Sequence, residues 1–146
     1  MAKTETKAAS RKKPAAKRKP SNKLPKSVAS AVKAALEKQA SDVVVLDLRD
    51  AGGFTDYFVI CTGGSARQIK AISDAIEEKL RTELHERPAL VEGVERSEWV
   101  LLDYFNFVVH VFSRECRAFY GLERLWGSAE RHEFSDVDPA GRSARS

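Results

Sequence analysis

Apolar residues recur at helical spacing at Val28, Ala31, Val32, Ala35 and Leu36, which predicts a helix through about Gln39. Pro25 and Ser27 mark its start. Asp42 to Arg49 is mostly β-branched or apolar and predicts a strand, followed by the turn Asp50-Ala51-Gly52-Gly53. Tyr57 to Cys61 is an unbroken apolar run, as expected of a strand covered on both faces. Gly63-Gly64 then turns the chain, and Ser65 with Gln68 forms a capping box for a helix from Ser65 to about Leu84. Ile69, Ile72, Ile76 and Leu80 make its apolar stripe, with Ser73, Glu77 and Arg81 expected on the solvated face. Leu90-Val91 predicts a short strand. Glu98–Tyr104 and Phe107–Phe112 predict an antiparallel hairpin across a tight Tyr104–Asn106 connection. Ser113 caps a last helix through Trp126, with Phe119, Leu122 and Trp126 on one face, and frayed chain is expected from Gly127. The order α-β-β-α-(β)-β-β-α, with a hairpin in it, predicts an α/β fold with a mixed sheet and flanking helices.

Charge divides the 146 residues unevenly. Residues 1–26 carry ten Lys/Arg against Glu5 alone, a local +9, so the chain's net +4 leaves −5 for the remainder. The Lys/Ala/Pro/Ser composition of residues 1–24 predicts a disordered basic tail. Residues 25–128 are the expected folded domain and 129–146 a flexible C-terminal tail. An argument for nucleic acid from charge belongs to the basic tail alone.

Cys61 and Cys116 lie in apolar runs and read as buried thiols of a reducing compartment rather than a disulfide framework. No apolar run approaches the ~20 residues of a membrane span. The first residues lack the apolar core of a signal peptide, and three prolines in a lysine-rich tail suit a transit helix poorly. The expected location is the cytoplasm, with no membrane partner.

A strand, a glycine turn and a capped helix could hold a phosphate, and the sharpest enzymatic reading is a nucleotide-binding or nucleotidyltransferase-like activity at Gly63–Ser65. That chemistry needs clustered carboxylates for metal ions. The nearest downstream acid is Asp74, inside the helix, and Asp47 and Asp50 fall on opposite sides of an extended strand. The turn is neither G-x-G-x-x-G nor a P-loop, so a plain helix start is the stronger reading. His110 has no ligand-spaced partner and reads as a hydrogen-bonded, partly buried strand residue; Cys61 should be inert, its pKa raised by apolar neighbours. No metal or cofactor is expected. A general RNA-binding module is disfavoured by the acidic domain.

The hairpin is more informative. Trp99, Leu101 and Asp103 share one face; Val100, Leu102 and Tyr104 share the other. Tyr104 and Phe105 fall at the tip, where exposure is expected, and exposed aromatics among polar groups compose a protein-binding hot spot. Trp99 by itself reads equally as a cap on the core.

Five motifs in order then carry a resemblance: Thr55–Gln68, Glu92-Gly93, Trp99–Tyr104, Val108–Phe112, and Arg117-x-Phe119-Tyr120-x-Leu122-Glu123-x-Leu125-Trp126. Across roughly Val28 to Ala129 the chain resembles the ribosomal silencing factor (Iojap) family. The resemblance implies a nucleotidyltransferase-like fold without catalytic carboxylates, and a non-enzymatic repressor. It implies binding to the large ribosomal subunit through ribosomal protein L-fourteen. Joining of the small subunit would be blocked sterically, most of all in starvation. The implied partner surface is Trp99, Leu102, Asp103, Tyr104, Phe105 and Asn106, with part of the last helix. Some members of the family form dimers, which leaves a homodimer open here. Where the family usually has Gly-Asp, this chain has Phe105-Asn106, so either the turn changes shape or Phe105 adds a contact. The basic tail is expected to touch ribosomal RNA.

Overall fold

The structure, a computed structural model, describes residues 24–134. The basic segment before Leu24 and the last twelve residues, 135–146, lie outside the described residues. Helix α1 (Lys26–Glu37) begins after Pro25 without a side-chain cap. Ser27, read as a start signal, instead sits in the first turn and donates to both carboxylate oxygens of Glu86 (3.0 and 2.9 Å). The alanine-rich face of α1 (Ala31, Ala34, Ala35) is fully buried. Strand β1 (Ser41–Asp47) starts one residue before the predicted span and ends two residues before its predicted end, because Arg49 folds back onto Asp47 (2.7 Å).

Strand β2 (Tyr57–Thr62) is buried at every position, as its continuous apolar run requires. Helix α2 (Ala66–Leu84) follows, capped by Ser65, and buries Ile69, Ile72, Ile76 and Leu80. Ser73, expected on the solvated face, is buried with them. It falls one residue after Ile72, within the wide apolar stripe, and its hydroxyl is satisfied locally by the Lys70 carbonyl (3.1 Å). Strands β3 (Leu90–Glu92), β4 (Trp99–Asp103) and β5 (Phe107–Phe112) come next, with β4 and β5 forming the predicted hairpin.

The expected single last helix is broken. Helix α3 (Arg114–Tyr120) ends where Gly121 enters the left-handed region (φ 55°), and α4 (Leu122–Leu125) restarts in a new direction. Phe119 therefore leaves the face shared by Leu122 and Trp126 and is 79% exposed. The folded region also runs past the predicted boundary at 128: Glu130–Phe134 forms β6, paired antiparallel to β1. Its Glu130-Arg131-His132-Glu133 sequence gives a charged edge that discourages further pairing.

The sheet order is β3-β4-β5-β2-β1-β6. Among the described residues only β2 and β5 pair in parallel; every other neighbour is antiparallel. This is the expected mixed α/β sheet. One face carries α1 and α2 over Val43, Val45, Val59, Cys61, Val109 and Val111. The other is covered thinly, by Trp99, Leu101, Cys116, Leu122 and Trp126 over Phe58, Ile60 and Phe112. That thin cover decides where aromatic side chains reach solvent.

Candidate functional site

The glycine turn was the first candidate. Ser65 Oγ accepts the Gln68 N–H (3.1 Å), and Gln68 Oε1 accepts the Gly64 N–H (2.6 Å), so the box reaches back one residue further than the usual pattern. Gln68 Nε2 also donates to the carbonyls of Lys38 and Gln39 at the end of α1 (3.0 and 3.1 Å). A Cβ at position 63 would lie 2.7 Å from Ile69, so packing alone demands glycine there. The adjoining cleft of about 470 Å³ carries both signs of charge, Arg96 and Arg114 with Glu98 and Glu115. Among the described residues no three His, Cys, Asp or Glu side chains gather into a metal-binding group. The turn thus spends the Gly64 N–H on the helix cap and the Gly63 N–H on the Phe112 carbonyl (2.9 Å).

Both cysteines are free. Burial pushes the Cys61 thiol up to about 12, which leaves it protonated and inert. His110 cannot activate it. In the parallel β2–β5 register Ile60 stands beside His110 and Cys61 beside Val111, so the two side chains point to opposite faces of the sheet.

The six hairpin residues separate. Leu102 is fully buried on the helix-covered face. Tyr104, expected at an exposed tip, is only 7% exposed. Strand alternation turns it inward, where it stacks on Phe107 (ring centroids 4.9 Å apart, planes 6° apart). Its hydroxyl is buried without a partner among the described residues, and burial together with the Glu77 and Glu86 carboxylates pushes its pKa up. Leu102 and Tyr104 therefore support the hairpin from within. Asp103 is half-buried and accepts the Phe105 N–H (2.8 Å). Asn106 is exposed, and its N–H donates to the Tyr104 carbonyl two residues back (3.0 Å). That bond closes a γ-turn centred on Phe105 at φ 83°, the strained form of this turn. Phe105 is 78% exposed. Phe105 thus takes a positive φ without being glycine, and the turn directs its aromatic ring to solvent.

Trp99 stands at the other end of β4, half-buried on the thinly covered face. Its indole Nε1–H donates to His110 Nδ1 (3.0 Å). Ring contacts run unbroken across this face: Phe54–Phe58 (6.1 Å), Phe58–His110 (4.5 Å), His110–Trp99 (5.9 Å), Trp99–Tyr120 (4.6 Å) and Tyr120–Phe119 (4.9 Å). Both end residues are open to solvent, Phe54 at 77% and Phe119 at 79%. Phe105 joins the Phe54 end, because Thr55 Oγ1 donates to the Phe105 carbonyl (3.1 Å) and the Asp56 N–H to that of Asn106 (3.0 Å). Leu125 is exposed on α4. Phe54, Tyr120 and Leu125 were not singled out from the sequence as surface contacts. The adjacent Phe119-Tyr120 pair was the available signal, since neighbouring helix residues cannot both face one core. The arrangement offers exposed aromatic rings on a loop (Phe54), a hairpin turn (Phe105) and a short helix (Phe119, Tyr120), joined through strand residues Phe58, His110 and Trp99, the composition of a contact surface.

Comparison with known proteins points the same way. A family profile described as "Ribosomal silencing factor during starvation" matches residues 21–146. The chain is 39% identical over 107 residues to the ribosomal silencing factor RsfS of Halalkalibacterium halodurans, covering 73% of this chain and 91% of that protein. It is 30% identical over 95 residues to a mouse protein named mitochondrial assembly of ribosomal large subunit protein 1, covering 62% of this chain and 40% of that one. A crystal structure of a Chromobacterium violaceum protein superposes with a TM-score of 0.66 at 29% identity, covering 79% of this chain and 96% of that chain.

Proposed function

The chain belongs to the ribosomal silencing factor family, and from that premise we propose that it represses translation by binding the large ribosomal subunit through ribosomal protein L-fourteen. Seated there, it blocks joining of the small subunit by occupying the contact surface. The action is steric and needs no turnover, cofactor or metal. It takes place in the cytoplasm, and starvation is when it matters. Ribosome-associated silencing is the role that the family's name carries, and the mouse relative is itself named for the large subunit.

The observation that carries the reading is the aromatic band from Phe54 to Phe119, with Phe105 beside it and Trp99 at its centre. Trp99, Asp103, Phe105 and Asn106 are the hairpin residues available to a partner, extended by Phe119, Tyr120 and Leu125. Aromatic side chains have few rotatable bonds and bind with little loss of side-chain freedom, which suits a surface that must dock as a plug.

In vitro, the protein should sediment with large subunits, retain ribosomal protein L-fourteen on pull-down, and inhibit subunit joining. Normal joining at saturating occupancy would sink the reading. Trp99→Ala should weaken binding by about 2 kcal/mol if Trp99 is a hot spot. We further propose that the basic segment 1–24 touches ribosomal RNA. Its deletion should then flatten the dependence of affinity on salt, and an unchanged slope would remove that contact from the scheme.

A further inference from the structure

We propose that His110 is the positioning residue of the partner surface: by accepting the Trp99 indole N–H it fixes which edge of that ring the protein presents. The inference rests on the reading of Trp99 as a partner contact. In the β4–β5 register Trp99 pairs with Phe112 and Leu101 with His110, so Trp99 and His110 are diagonal neighbours on one face. The indole N–H can only donate. His110 Nδ1 must therefore be bare, and the neutral ring carries its proton on Nε2.

That Nε2–H is buried and meets no acceptor among the described residues. His110 as a whole is 4% exposed, packed among Phe58, Trp99 and Phe112. A phenylalanine or leucine would fill such a place without an unsatisfied donor. What the imidazole adds, and those side chains lack, is the acceptor for Trp99. Contacts with Phe112 (4.9 Å, planes 32° apart) and Tyr120 (4.6 Å, planes 45° apart) pack tilted rings against the indole, but neither engages its N–H. The hydrogen bond selects between the two directions in which the ring can lie. Fixing a side chain before binding removes part of the ordering penalty at the interface.

The test uses the full chain and purified large subunits. In wild-type protein, ¹⁵N spectra should show His110 with the proton on Nε2 and a bare Nδ1. The Trp99 indole N–H, assigned against Trp126→Phe, should exchange slowly with solvent. His110→Phe should abolish that protection and weaken large-subunit binding about tenfold, the scale of one ordered side chain. His110→Asn should restore both, since its amide oxygen can stand where Nδ1 stood. In a Trp99→Phe background, His110→Phe should add little. A proton found on Nδ1, or unchanged indole exchange in His110→Phe, overturns the hydrogen bond without need of the ribosome. Wild-type affinity in His110→Phe while Trp99→Ala binds weakly overturns the positioning role alone. Wild-type affinity in Trp99→Ala removes the partner contact, and the inference falls with it although the spectra stand.

Discussion

Phe105 holds a φ of 83°, where a side chain clashes with its own backbone and glycine does not. The surroundings sustain it: Asp103 Oδ1 accepts its N–H and Thr55 Oγ1 donates to its carbonyl. Phe105→Gly and Phe105→Ala both delete the exposed ring but differ in tolerance of this conformation. Phe105→Gly should therefore be more stable than Phe105→Ala by about 1 kcal/mol in urea unfolding. Equal stabilities would mean that the backbone at 105 relaxes freely. Both variants should lose affinity for large subunits if the ring is a contact.

Among the elements, α3 is too short to stand alone at seven residues. Arg117 anchors it. Its guanidinium donates to the Asp42 carbonyl (2.7 Å) and Thr62 Oγ1 (2.8 Å), and forms a bidentate pair with Glu123 of α4 (3.0 and 2.8 Å). These bonds hold the Glu123 carboxyl below its usual range, outweighing burial. Arg117→Met should destabilise the protein by about 2 kcal/mol, because the Asp42 carbonyl and Thr62 hydroxyl lose their donor and Glu123 keeps only Arg131 (3.3 Å) as a partner among the described residues. Hydrogen exchange should show α3 and α4 loosening while β2 and β5 keep their protection. An unchanged melting temperature would show that the short helices need no anchor. Since α3 carries Phe119 and Tyr120, the same variant should bind subunits less well.

For the whole molecule, His110 couples stability to pH. Burial pushes its pKa down to about 3, from about 6.5 in the unfolded chain. Between those values the unfolded state binds the extra proton. Stability is therefore complete above about pH 6.5 and falls as pH drops towards 3, approaching about 1.4 kcal/mol per pH unit below pH 6. Denaturant unfolding at pH 7.5 and pH 5 should show this loss, and His110→Asn should remove it. Equal wild-type stability at the two pH values would contradict the buried, neutral imidazole. The lowered carboxyls of Asp47 and Glu123 act in a more acidic window, and the raised Glu77 carboxyl works in the opposite sense, so the difference between wild type and His110→Asn isolates the imidazole.

Local order and identity were legible in the chain itself. Periodicity alone sets α2, the hairpin and the buried β2, because a residue's neighbours in a regular element are fixed by its spacing. The Ser65–Gln68 cap and the inertness of Cys61 follow from adjacent residues. The ordered motifs carry the family. Burial at the ends of elements was decided only by the fold. Tyr104 turns inward because α2 and the Glu86 segment lie over that face. Phe119 turns outward because Gly121 breaks the helix, and Glu130–Phe134 becomes a strand because β1 offers it an open edge. The pairing of Trp99 with His110 joins residues eleven apart through strand register. Which face of the sheet would stay thinly covered, and so where the aromatics meet solvent, depends on how much helix packs on each side: 12 and 19 residues over one face, 7 and 4 over the other. That division is a property of the assembled layers, and no single stretch of sequence contains it.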